Sequence, residues 1–323
     1  MKPKSIFYTI LFLNLLFSSW VYSQKYNSVD SIVDTYPKNA ITADSLVELI
    51  KKDFSKQNEK SRAVFRWVAT NISYDVSLAE SMNYISKNAF SYKTEKERSI
   101  KEKKFKLDLV SVTMNTKKTV CHGYAALMEY LYLKLGLEST IVFGNLKADP
   151  SQIGEMPNVT NHAWNVVKID NIWQFVDATL AAGFVSSKTN LFKFYFNDAY
   201  FFTNPDRFFL NHYPADEKWL LVAKSKTDFA LLPVFFGGYF QNNYEIIKPE
   251  SGICSTQNNH NLIFAIRGLE EYDTIAYSSS IDNIKTYLNQ KNDLDYTIPI
   301  LDKKDSYVTI FVSGKIIAIY KII

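Results

Sequence analysis

Helical patterns that come first and strands that come later predict an α+β fold for this chain. Three observations carry that expectation. Amphipathic runs at 43–54 and 59–72 precede a nearly all-apolar helix at 122–135, two alternating strands flank Asp170-Asn171, and short β-branched and aromatic runs recur after residue 225. With 323 residues, of which 47% are hydrophobic, the chain can bury a substantial core and is long enough for two domains.

Residues 1–23 carry Lys2 and Lys4, an apolar stretch from Ile6 to Phe17 and the ending Val21-Tyr22-Ser23 ahead of Gln24. This is the plan of a cleavable secretory signal, so the mature protein is expected to be exported, either periplasmic or secreted. The apolar stretch is short for a membrane span, and no stable span is expected once it is removed. Loss of the two lysines lowers the formal net charge from +4 to +2, too little to draw nucleic acid or a membrane surface. The remaining chain divides on pattern into an α+β domain over 24–225 and a β-sandwich over 226–323. In the sandwich, strands are read at 229–239, 244–247, 262–267, 274–277, 296–301 and 307–322, with Ser313-Gly314 as the last turn. Between the opening helices and the apolar helix, the run KTEKERSIKEKKFK at 93–106 reads as a solvated helix or a mobile insertion.

The apolar helix ends at Gly136, a C′ glycine, and starts beside Cys121. A thiol at that end meets amides with no carbonyl partner in the helix and the positive end of its dipole, which favour the thiolate. The strand 162–167, the turn Asp170-Asn171 and the strand 172–176 read as a hairpin with a two-residue loop. In that register facing residues sum to 341, so Trp164 lies opposite Asp177. His162 and Asp177 then become diagonal neighbours on one face, roughly 7 Å apart at the backbone. A loop one residue longer would turn Asp177 to the other face. Cys121, His162 and Asp177 thus supply the nucleophile, base and orienting carboxylate of thiol acyl transfer.

The runs Val-Cys-His-Gly-Tyr-Ala at 120–125, His-Ala-Trp-Asn at 162–165 and Val-Asp-Ala-Thr at 176–179 resemble the three motifs of the transglutaminase-like superfamily, the papain-like fold of thiol acyltransferases and peptidases. Lys60 to Asp75 is similar to that superfamily's opening helix. Phe194 to Leu221, with Phe201-Phe202-Thr203-Asn204-Pro205 and Asn211-His212-Tyr213-Pro214, resembles its kyphoscoliosis-peptidase-like branch. The resemblance covers roughly residues 40 to 225. It implies Cys121 as nucleophile, His162 as general base and acid, Asp177 as the orienting carboxylate, and a protein or peptide substrate, with cell-wall peptide among the options. It leaves hydrolysis and transamidation both open, and it does not name a second oxyanion donor.

Blander readings stand beside these. Cys121 is also readable as a buried thiol or as half of a disulfide with Cys254, Asp177 as a cap at a strand end, and Trp67 and Tyr74 as core. His122 reads as a helix-start residue. His212 and His260 lack the pattern of a metal site, and no phosphate-binding loop is present, so neither a metal nor a cofactor is expected. The non-enzymatic alternative is a silent transglutaminase-like module that binds a protein or cell-wall partner.

Overall fold

A computed structural model describes residues 26–81, 91–255, 261–281, 284–288, 295–299 and 306–323. The signal read at 1–23 and His260 lie outside the described residues. The described residues form two compact units. One comprises 26–81, 91–140 and 165–201, and the other comprises those within 141–164 and 202–323. The mixed helix and sheet content is that of the expected α+β class.

In the first unit, α1 (Asn27–Val33), α2 (Ala43–Asp53) and α3 (Gln57–Asn71) come first. Thr42 caps α2 by accepting from the Ser45 amide, and Leu46, Val47 and Ile50 form its buried stripe. Arg62 of α3 is buried and donates to both Asp30 carboxylate oxygens, at 2.7 and 2.6 Å, and to Asp198. The rings of Tyr26, Phe65, Phe196 and Phe201 stand within 5.1–5.5 Å of its guanidinium carbon, so the charge sits in an aromatic cage. This one side chain ties α1 and the 198–201 segment to α3.

The short α4 (Val76–Ser81) precedes the basic run, which is helical: α5 spans Glu95–Thr116. Thr94 caps it, and pairs Arg98–Glu102 and Lys101–Glu97, each at 2.8 Å, line its exposed face. Only Val110, Thr113 and Met114 near its end are buried. The apolar helix, α6, runs Cys121–Lys134 and ends as read: Gly136 has φ +77°, its amide bonds Leu133 O, and the Leu137 amide bonds Tyr132 O. The strands β4 (His162–Ile169) and β5 (Ile172–Val176) pair from Asn165↔Val176 to Ile169↔Ile172, so every facing pair sums to 341. Asp170 and Asn171 have φ of 49° and 65°, the two left-handed residues of a type I′ turn. The loop is two residues long and the register is the expected one. After β5 come α7 (Ala178–Ala182), β6 (Gly183–Val185) and β7 (Phe192–Phe194), the last two an antiparallel pair.

The chain crosses between units within β3 (Ser139–Leu146), β4 and β8 (Phe201–Thr203). In the second unit, α8 (Pro205–Phe209) leads to β9 (His212–Pro214), which pairs with β3 from Leu146↔His212 to Gly144↔Pro214. Lys147, just beyond β3, is buried and donates to Phe229 O, Ala230 O and Leu232 O at 2.6, 2.9 and 3.0 Å. Those three bonds gather the carbonyls at the end of α9 (Lys226–Leu231).

That helix corrects one expectation. The run 229–239 was expected to be a strand, yet it is α9, a two-residue β10 (Val234–Phe235) and α10 (Gly237–Phe240). A reciprocal capping box between Ser225 and Asp228 nucleates α9, and this local signal overrides the aromatic, β-branched composition.

The rest is sheet: β11 (Glu245–Lys248), β12 (Ile253–Cys254), β13 (Asn261–Arg267), β14 (Ile275–Ser279), β15 (Thr286–Tyr287), β16 (Asp295–Pro299), β17 (Ser306–Val312) and β18 (Lys315–Ile322). One sheet has the order β10-β18-β17-β14-β15 with β12 alongside β18, and a second has the order β11-β13-β16. Phe264 of one meets Tyr320 of the other edge-on at 6.4 Å, both fully buried.

Replacing Arg62 with Met leaves two carboxylates facing an apolar cage. We expect a loss of about 3 kcal/mol, the low end for breaking a buried ion pair because Asp198 is half-exposed. Urea unfolding checks it, and a loss below about 1 kcal/mol contradicts the assigned role.

Candidate active site

Cys121 is the first residue of α6, with Val120 in the capping position. The earliest bonds of the helix run from the Gly123 and Tyr124 amides to Val120 O, at 2.9 and 3.1 Å. Its start is held from below. The strand β2 (Lys118–Thr119) pairs in parallel with β1 (Ser73–Tyr74), in the register Ser73↔Lys118 and Tyr74↔Thr119. The Ser73 amide donates to Lys117 O and the Asp75 amide to Thr119 O, both at 2.8 Å. Gly123 is required by close approach, because a Cβ there would run into Thr119 Oγ1 and Thr113 Oγ1.

This pairing sets Tyr74 opposite Thr119, two residues before Cys121. Burial pushes the Tyr74 phenol up to about 12, and negative charge on Cys121 and Asp75 adds to the rise. Trp67, in contrast, is pure core, its Nε1 donating to Pro37 O at 3.2 Å.

Asp177 lies in the same unit, where the reading of it as a cap at a strand end holds. The strand ends at Val176, and Asp177 caps α7, with its Oδ1 accepting from the Leu180 amide at 3.0 Å. Its own amide donates to Tyr200 O at 3.0 Å. The buried Tyr124 links the two ends electrostatically. Burial drives its phenol well above the ordinary tyrosine range, with Tyr74 and Asp177 adding to the rise, while its hydroxyl donates to Ile72 O at 2.5 Å. Asn165 of β4 donates through Nδ2 to Ala125 O at 3.0 Å, which ties the hairpin to the first turns of α6.

His162 opens β4 in the second unit and is buried. A histidine that sequence reasoning passed over stands beside it. The His212 ring centroid is 5.5 Å away, and a nitrogen of each ring lies within 4.8 Å of the other. His212 stacks on Phe208 at 3.8 Å and meets Trp164 edge-on at 5.0 Å. Periodicity carried no signal for this, since the two histidines meet only through the pairing of β9 with β3. His122 is buried against Phe105, and burial, with the Lys106 charge, pushes it down to about 4. It stays neutral at working pH. Both cysteines are free and buried, so the disulfide reading does not hold. Burial raises the Cys254 thiol to about 12.

Residues 43–178 match the family model of the transglutaminase-like superfamily, a stretch that contains Cys121, His162 and Asp177. Over these residues the chain is similar to the transglutaminase-like superfamily. The human Kyphoscoliosis peptidase is 31% identical over 180 residues, which are 55% of this chain and 24% of that protein. The mouse Kyphoscoliosis peptidase is 31% identical over 178 residues, with the same two shares. The chain thus spans about a quarter of the length of these curated relatives. Among solved structures, one described as the crystal structure of a TGase shows 19% identity and a TM-score of 0.29, covering 56% of this chain and 38% of that one.

Two outcomes check this geometry. Asp177→Ala removes cap and charge together and should cost about 1 kcal/mol, whereas Asp177→Asn keeps a capping oxygen and should cost only a few tenths. Equal losses on thermal unfolding would contradict the cap. The His122 ring protons should show no titration by NMR between pH 5 and 8; a midpoint near 6.5 would contradict its burial as a neutral ring.

Proposed function

We propose that this protein is an exported thiol enzyme that cleaves amide bonds in proteins or peptides through a Cys121-His162-Asp177 triad. His162 takes the proton of Cys121, whose sulfur attacks the amide carbonyl. The imidazolium then hands its proton to the leaving amine, and a thioester remains on Cys121. Water, activated by the same imidazole, releases the acid. Water exceeds any amine acceptor outside the cell, which favours hydrolysis over cross-linking.

The observation that carries this reading is the position of Cys121 as the first residue of a fourteen-residue buried helix, within a segment that matches the transglutaminase-like family model. Two findings add support. The hairpin from which the pairing of His162 with Asp177 was read has the expected two-residue loop and register over 165–176. Beside β1, the β6–β7 pair presents exposed Phe184, Leu191, Phe194 and Tyr195, an apolar surface suited to a polypeptide.

The test is the rate of iodoacetamide labelling of native protein against pH. Cys254 remains a thiol far above neutrality, so labelling below about pH 8 reads Cys121. A midpoint well below about 8.5, shifted up in His162→Ala, is expected. Slow labelling that ignores His162→Ala and Asp177→Asn would contradict the triad and leave a binding module.

A further inference from the structure

The pair β6–β7 is a two-stranded ribbon of the first unit, and its hydrogen bonds set its phase. The Ser186 amide donates to Leu191 O at 2.9 Å and the Tyr195 amide to Ala182 O at 3.0 Å, one bond at each end. Phe184↔Lys193 lies midway in the register, so these two residues exchange the inner bonds. The N–H and C=O groups of Gly183 and Val185 then point away from β7, and they have no hydrogen-bond partner among the described residues. The strand that packs against β1 is β7, which makes β6 the outer edge. No residue of β6 is charged or proline, the devices that keep edge strands from pairing.

The same phase divides the side chains between two faces. Phe184, Leu191 and Tyr195 share one with Lys193, and Val185, Phe192 and Phe194 share the other. The ring contacts agree: Phe184 meets Tyr195 at 6.1 Å and Phe192 meets Phe194 at 5.0 Å, both edge-on. Both faces are open, since Phe184, Leu191 and Tyr195 are 51, 65 and 47% exposed and Val185 and Phe194 are 38 and 52% exposed. A flat partner would cover only one of them. Lipid would surround both, yet hydrocarbon leaves the N–H and C=O groups of an open edge unsatisfied. An extended polypeptide beside β6 satisfies those groups and, because its side chains alternate, continues both apolar faces at once. Residues 178–197 hold Lys188 and Lys193 and no acid, while Glu80, which reaches the ribbon, accepts from Asn190 at 2.7 Å. An acidic residue flanking the apolar run of the polypeptide suits those lysines.

We infer that β6 is a docking strand, to whose free edge an extended polypeptide with consecutive apolar residues and an acidic flank adds as a third strand. The inference rests on the hydrolase reading above and names the class of its substrate. The ribbon connects to the thiol through its neighbours: β7 packs on β1, β1 pairs with β2, and β2 ends two residues before Cys121.

Fluorescence anisotropy of a labelled heptapeptide, Glu-Val-Phe-Val-Phe-Val-Glu, with the full chain carrying Cys121→Ala tests it. One twin of the peptide is N-methylated at its three central amides, and another has lysine for both glutamates. The parent peptide should bind, and both twins should bind more weakly, the N-methylated one by about tenfold or more. Val185→Pro, which removes an outward N–H and leaves the Phe184↔Lys193 bonds, should weaken binding to a similar degree. Phe184→Ser and Phe194→Ser, both at exposed positions, should also weaken it and leave the thermal midpoint unchanged. No binding of the parent peptide, equal binding of the N-methylated twin, or binding indifferent to these substitutions overturns the inference. So do vesicles of phosphatidylcholine and phosphatidylglycerol that sediment with the unsubstituted chain but not with Phe194→Ser, which mark a lipid occupant, and a dimer in ultracentrifugation that Phe194→Ser dissolves, which marks a second copy. Peptides that dock as expected while the wild-type chain cleaves none that carry the run contradict the hydrolase reading and leave the docking strand in place.

Discussion

The start of one buried helix is the constraint on which the candidate site depends. Helix α6 is apolar on nearly every side, so it is enclosed wherever the fold places it, and its N-terminus can sit in only one place. That place is set by a two-residue parallel ladder, by Gly123 pressed against Thr119 and by the Asn165 amide on Ala125 O. Cys121 inherits its position from these contacts. Its environment follows: Val120 in the capping position ahead of it, the buried Tyr124 one turn on, and the β1–β2 ladder that ends two residues before it.

The remaining elements of the first unit brace that helix. Helix α3 packs on it, and Arg62 of α3 draws α1 and the 198–201 segment inward through two carboxylates and four rings. In the second unit, Lys147 plays a comparable part for α9, its three N–H donors spent on three carbonyls. Lys147 spends its amine on three carbonyls and Arg62 spends three of its five N–H donors on two carboxylates, which makes them organisers of loops rather than catalytic groups.

The local features were legible in the sequence because local rules govern them. Asp170-Asn171 tolerates positive φ at two successive positions, Gly136 supplies the left-handed end of a Schellman motif, and the unbroken apolar run after Cys121 admits only a buried helix. What escaped was non-local or was outweighed by a short signal. Ser225 and Asp228 start a helix within a run that composition assigns to strand. Asp177 was legible as a cap at a strand end, but the helix it caps, through the Leu180 amide, was not. Tyr74 meets Thr119, two residues before Cys121, across a long stretch of sequence through a pairing only two residues long, and His212 reaches His162 through an edge strand of three. No periodicity records such contacts.

The central claim is that Cys121 carries the acyl group. Acid-quenched intact mass measurement after mixing with an activated acyl ester tests it most directly. The account predicts one acyl adduct on Cys121 that hydroxylamine removes, absent from Cys121→Ala and accumulating more slowly in His162→Ala. An intact mass that stays unmodified while the same thiol alkylates freely would contradict it.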